Sequence, residues 1–314
     1  MAHAEGSLTT AEGQAHGNVN ALAEATALRE RRSRTGLRAT ARAYAQDRFA
    51  VVAAIVLLII ALASILAPVL PLADPIKDNP PLRLKGMGQS GHLLGYDFNG
   101  RDMLSRLVWG GRQSLPNALI PVVIASLIAL CLGLSAGYLG GALDMAIMRV
   151  MDVLFALPDI ILAIAIAAAL GQGRQSVILA TTLVIIAPLT RMTYAATRQQ
   201  SSSEYVTAAR SIGAPFTRIV GRHLLPNVMA PVIVYASTII GLLVVFTASL
   251  SFLGLGVAPP TPEWGLMVDE GRKVLSVAPH VSTLPGIMIA ITALCFNLVG
   301  DGLRYALDPR QHGN

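Results

Sequence analysis

The chain has 314 residues, of which 54% are hydrophobic and only 13% charged, and its formal net charge is +6. A soluble domain carries about twice that charged share, so the composition excludes an ordinary soluble globular protein. A nucleic-acid partner is not expected either: in so apolar a chain, with mean hydropathy +0.59, surplus arginine reads as membrane topology.

Residues 1–28 are rich in Ala, Gly, Ser and Thr with scattered acids and show no apolar period. They are expected to form a disordered cytoplasmic tail. No apolar core follows a short basic start, so they do not read as a signal peptide. The basic segment 29–48 carries Arg29, Arg31, Arg32, Arg34, Arg38, Arg42 and Arg48, and such a cluster places the N-terminus in the cytoplasm.

Apolar stretches at about 49–70, 116–139, 150–170, 176–194, 228–252 and 284–305 are each long enough to cross a bilayer as a helix. The helix is forced because lipid offers no partner to backbone polar groups. Six crossings leave 71–115 as an extracytoplasmic loop and 116–310 as a five-helix core. They put the loop 195–227 and the C-terminal tail 311–314 in the cytoplasm. The outer loop is basic too, but Asp74, Asp78, Asp97 and Asp102 offset most of its cations, so the N-terminal cluster sets the orientation.

Within the spans, Gly133, Gly137 and Gly141 form a small-residue ridge suited to close helix packing inside the subunit. Pro158 removes an amide donor and crowds the carbonyl of Leu154, which predicts a kink. Asp159 is a carboxylate at costly depth. It marks a pathway or partner, or else an acid hydrogen-bonded against another helix. Arg149 and Asp152 are spaced for a surface ion pair. Cys131 and Cys295 lie in apolar runs and read as packing thiols, with neither a disulfide nor a metal site expected. Trp109 and Trp264 read as interfacial anchors.

The most informative interval is polar: Glu204-Tyr-Val-Thr-Ala-Ala-Arg-Ser-Ile-Gly213, continuing to Arg222-His-Leu-Leu-Pro-Asn227. Val206, Ala209 and Ile212 are spaced to share one helix face. Ala208 and Ala209 keep the surface low enough for another protein to approach. Gly213 supplies a turn at the helix end, and Pro226 suits the first turn of the next span. His223 admits a pH-sensing reading, with an interfacial packing or hydrogen-bonding role as the plainer one.

This interval resembles the conserved loop of inner-membrane permease subunits of ABC importers, Glu-Ala-Ala-x-x-x-Gly followed after a spacer by Ile-x-Leu-Pro. Thr207, Ala208, Ala209, Gly213, Leu225 and Pro226 occupy matching positions. Thr207 replaces the pattern's Glu, with Glu204 a nearby acid, and His223 replaces its Ile. Tyr205–Arg210 and Arg222–Asn227 are similar to the peptide-importer branch, as are Leu94–Arg106, Ser251–Gly265 and Gly300–Arg310. The likeness runs from about residue 45 to 310. It is to the C-type subunit of dipeptide and oligopeptide permeases, a group that includes nickel and glutathione importers.

The resemblance implies an all-α integral membrane protein of the type I importer fold. Six transmembrane helices would carry a cytoplasmic coupling helix between the fourth and fifth. It implies a multi-pass subunit of the bacterial inner membrane that pairs with a related second permease, couples to two cytoplasmic ATPase subunits and receives peptide from an extracytoplasmic binding protein. Switching between outward-open and inward-open states would be a rigid-body coupling biased by nucleotide.

No cofactor is expected in this chain; ATP and Mg2+ would sit on the partner subunits. Its lysines, Lys77, Lys85 and Lys273, lie in no Gly-x-x-x-x-Gly-Lys-Ser/Thr loop. No catalytic constellation stands out, so an intramembrane enzyme is not the expectation. Asp159, Ser237, Thr238, Thr247 and Asn297 are candidates for lining the pathway. A non-peptide solute of the same family is the alternative cargo. A stand-alone secondary transporter is the remoter one, because such carriers need several ionisable groups in their spans and commonly an inverted repeat.

Overall fold

The computed structural model describes residues 41–88 and 93–307. The tail 1–28, most of the basic segment 29–48 and the end 311–314 lie outside the described residues. Among those described, five helices are long and apolar enough to cross a membrane, or six if one bent pair counts as a span.

The first helix, α1 (Arg48–Leu66), opens on Asp47, whose carboxylate accepts from the amides of Phe49 and Ala50 at 3.0 and 3.1 Å. That satisfies two of the donors every helix start leaves orphaned. Only Ala50, Ala53 and Ser64 are buried, while Val52, Ile55, Ile59 and Leu62 point outward. An apolar helix packed through small residues and exposing its large ones is what lipid permits.

The second span departs from expectation. Helix α2 (Met103–Leu139) is 37 residues long and starts at Met103, not Pro116, with Asp102 capping the Ser105 amide at 2.8 Å. Pro116 and Pro121 lie inside it. The stretch expected to be open loop is therefore partly helix, anchored by buried charge. Arg106 donates to Glu270 at 2.9 Å and Arg101 to Asp97 at 2.7 Å, both arginines almost wholly buried. Glu270 belongs to a short helix, α9 (Trp264–Arg272), in the loop after the fifth span. Trp264 is not an interfacial anchor: it is fully buried, its indole N–H donating to the Leu107 carbonyl at 2.9 Å. A buried indole requires such an acceptor.

The stretch expected as the third span is instead a bent pair of helices. Helices α3 (Gly141–Phe155) and α4 (Asp159–Leu170) meet at 90° across Pro158, a far larger bend than a kink within one span. Exposed Arg149 lies 3.9 Å from Asp152, but the closer partner of Asp152 is Arg191. Helix α5 (Arg174–Ser201) then packs lengthwise on α2. A Cβ on Gly133 would lie 2.6 Å from Cβ of Thr193, and one on Gly137 would lie 2.7 Å from Cβ of Thr197. Those two glycines form the ridge, within this chain; Gly141 instead starts α3 with φ +63° and open space around it. Gly137→Leu is expected to cost about 1–3 kcal/mol by overpacking, read as a lowered unfolding temperature in detergent, whereas Gly141→Asn should be milder because nothing crowds that position.

A short helix α6 (Glu204–Ser211) follows, then α7 (Phe216–Ile219), a π-wound turn Val220–Leu224, and α8 (Leu225–Phe252). Helix α10 (His280–Leu307) closes the bundle against α8 and α1, with Gly302 of α10 abutting Ala50. The main core fills the space between α2, α4, α5 and α8 with residues such as Ala125, Ala163, Val177, Leu189 and Leu243.

Candidate functional site

Two places collect several of the residues singled out in the sequence: α6 with the turn into α8, and one face of α8 beside α4.

Helix α6 is amphipathic by burial. Val206 and Ala209 point inward onto a cluster that includes Leu134, Ile219, Leu224 and Val228. Glu204, Thr207, Ala208 and Ser211 are exposed on the other side. Thus Ala208 keeps the outer surface low, while Ala209 lets α6 sit close to the bundle. Ile212 departs from the expected face: it is the C-cap, φ −88° and ψ 11°, and is 84% exposed. Leaving helical backbone there turns its side chain away from Val206 and Ala209.

The end of α6 is built by Gly213 at φ +72°. The Gly213 amide donates to the Arg210 carbonyl at 2.9 Å and the Ala214 amide to the Ala209 carbonyl at 3.1 Å, the paired bonds of a Schellman cap. Thr207 gives its hydroxyl to the Ser203 carbonyl at 3.2 Å, so the residue replacing the pattern's Glu is occupied locally. Glu204 lies in the first turn, where an acid suits the helix dipole. Arg210 stacks over the Tyr138 ring at 4.5 Å and ties the far end of α6 to α2.

The return to α8 is equally tied. Tyr205 donates to Gln200 at 2.8 Å and accepts from the Asn227 amide at 3.3 Å. Asn227 also donates to the His223 carbonyl at 2.6 Å. The rings of Tyr205 and His223 are 6.0 Å apart, so His223 is half-buried within this junction. Leu225 and Pro226 form the first turn of α8. Pro226 has no amide for the preceding turn, and the chain just before it is wound as π.

The pathway candidates separate. Asp159, in the first turn of α4, lines a cavity of about 260 Å³ together with Tyr235 of α8. Thr238 lines a neighbouring cavity of about 780 Å³ with Asn227, Arg304 and again Tyr235. Tyr235 joins the two, and sequence reasoning missed it; a polar ring breaking an apolar run was the only signal. Asn297 is exposed on α10, close to Gly241. Ser237 is half-buried and bonded to the Val234 carbonyl at 2.8 Å. Thr247 does not line either cavity: it is 3% exposed and gives its hydroxyl to the Leu243 carbonyl at 2.8 Å. Back-bonding of this kind lets a threonine sit in an apolar core.

Residues 129–313 match the family described as the binding-protein-dependent transport system inner membrane component. The chain belongs to that family. This binding-protein-dependent permease is 41% identical over 291 residues to the glutathione transport system permease protein GsiD of Pectobacterium atrosepticum, covering 92% of this chain and 96% of that one. It is 39% identical over 273 residues to the dipeptide transport system permease protein DppC of Haemophilus influenzae, covering 85% and 92%. With the di/tripeptide permease protein DppC of Pseudomonas aeruginosa it shares 41% over 275 residues, covering 86% and 90%. In structure it is similar to the MetNI methionine ABC transporter in an inward-facing form, with TM-score 0.52 and 20% identity over 66% of this chain and 98% of that one. The fold is that of an ABC importer permease, a transport component and not a catalytic domain. The family region begins within α2 and contains both α6 and the Asp159–Tyr235 cavity.

Proposed function

We propose that this permease forms half of the path by which an ATP-driven importer carries dipeptides or oligopeptides across the bacterial inner membrane. A related second permease supplies the other half, two cytoplasmic subunits bind ATP and Mg2+, and an extracytoplasmic binding protein delivers the peptide. Both termini and α6 face the cytoplasm in this reading, and the Arg101–Arg106 cluster faces outward. The chain itself hydrolyses no ATP, since its lysines lie in no phosphate-binding loop.

The supporting observation is the two-sided character of α6. Its inner face is fixed to α2 and α8 through Val206, Ala209 and Arg210, while its outer face is small, polar and open. A helix held in this way transmits displacement to the spans when a partner grips it, which is the rigid-body form of coupling. The peptide cargo rests on relatives named for dipeptide, di/tripeptide and glutathione transport.

Reconstitution with the partner subunits in proteoliposomes tests the reading. Peptide uptake is expected to require both ATP and loaded binding protein. Uptake by this chain alone, driven by an ion gradient, would overturn it.

A further inference from the structure

We propose that Asp159 and Tyr235 form a station on the translocation face that takes a cationic group of the cargo, the free ammonium of a peptide. The inference rests on the permease reading and adds to it the charge that the path selects.

The cavity lies between the end of α3, the start of α4, α5 and α8. Among its lining residues Asp159 is the only charged one and Tyr235 the only other polar side chain; the rest, such as Phe155, Pro188, Ile239 and Leu242, are apolar. Among the described residues no cation is within ion-pair distance of Asp159. The nearby Arg191 is committed elsewhere: it pairs with Asp152 and stacks on Phe155 at 4.5 Å. Asp159 is exposed in the single chain and so is open to a mobile cation, and an acid facing apolar neighbours in a membrane protein points to a partner that comes and goes. Its place in the first turn of α4 is also favourable to an acid.

Tyr235 supplies what an ammonium needs besides charge. Its hydroxyl can accept a hydrogen bond, and its ring face attracts a cation. Because Tyr235 also lines the larger cavity that reaches Asn227, the station opens onto a continuous face of α8 leading toward α6. The only charge lining that larger cavity is Arg304. A cation therefore meets attraction at Asp159 and repulsion further along, which places its stop at Asp159.

The local charge can be measured without knowing the cargo. In the assembled complex, with Cys131→Ser and Cys295→Ala, Tyr235→Cys is treated with cationic trimethylammonioethyl or anionic sulfonatoethyl methanethiosulfonate. The cationic reagent is expected to be favoured about tenfold more than at a free thiol, as a nearby carboxylate dictates, and Asp159→Asn should abolish that preference. A preference unaffected by Asp159→Asn, or a thiol that neither reagent reaches, overturns the station.

A second arm measures ATP-driven uptake of a free-amine peptide that the wild-type complex imports. Asp159→Asn should lower maximal uptake about tenfold and Asp159→Glu should restore most of it. If the Asn variant transports normally, or if Asn and Glu block uptake equally, the residue is not a charge-recognition group. Failure of the wild-type complex to import any peptide with ATP would instead count against the permease reading, leaving the reagent preference to decide the station.

Discussion

Arg106→Ala is expected to destabilise the folded permease by about 3–5 kcal/mol, the effect of removing one partner from a buried charge cluster. Arg106 is 1% exposed and bonds to Glu270 at 2.9 Å. It lies 3.4 Å from Asp97, and donates to the carbonyls of Pro75 and Pro260 at 3.2 and 3.3 Å. With Arg101 it balances the two carboxylates and pins the first turns of α2 to α9. Burial already pushes the Glu270 carboxyl above the usual range against the pull of Arg106 and Arg101; without Arg106 that carboxylate is left poorly compensated. Glu270→Gln in the Arg106→Ala background should recover part of the loss, a coupling that a double-mutant cycle isolates. By contrast, Arg149→Ala removes an exposed pair 3.9 Å long and should change stability by less than about 0.5 kcal/mol. Thermal unfolding in detergent compares wild type, the two arginine variants, Glu270→Gln alone and the double variant. An Arg106→Ala variant as stable as wild type would show that the cluster does not hold these loops.

The membrane helices were legible because lipid leaves an apolar segment one solution. Features that depend on tertiary partners were not. The first turns of α2 contain Arg106, Arg112 and two glycines and look like loop until Glu270 and Trp264 pack against them. Pro158 was visible as a breaker, but the 90° turn comes from where α4 finds its packing surface, through Ala163 and Ala167. At α6 the apolar spacing identified Val206 and Ala209 as one face, yet the helix ends one residue too soon to bring Ile212 with them. Thr247 illustrates a different limit. A hydroxyl in a span can satisfy itself on its own helix, so its polarity gives no direction, whereas the carboxylate of Asp159 has no such route.

Gly213→Pro and Ala209→Phe should each lower ATP-driven uptake at least tenfold while basal ATP hydrolysis by the assembled complex continues. The two act on one helix by different means. Proline cannot adopt φ +72° and removes the amide that bonds to Arg210, so the cap that ends α6 is lost. Phenylalanine at Ala209, 8% exposed beside Val206 and Ile219, must push α6 away from the bundle that it would move. Ala208→Ser, on the outer face, adds one small polar atom and should change coupling little. Ile212 tests the grip itself. An isoleucine 84% exposed at the helix end is suited to fill a pocket on a partner; burying it there contributes about 1.5–3 kcal/mol, so Ile212→Asp should weaken ATPase binding more than tenfold without disturbing α6. Normal coupling in both Gly213→Pro and Ala209→Phe would remove α6 from the transmission. Loss of coupling in those variants with unchanged ATPase affinity in Ile212→Asp would keep the lever and place the grip on Glu204, Thr207 and Ser211.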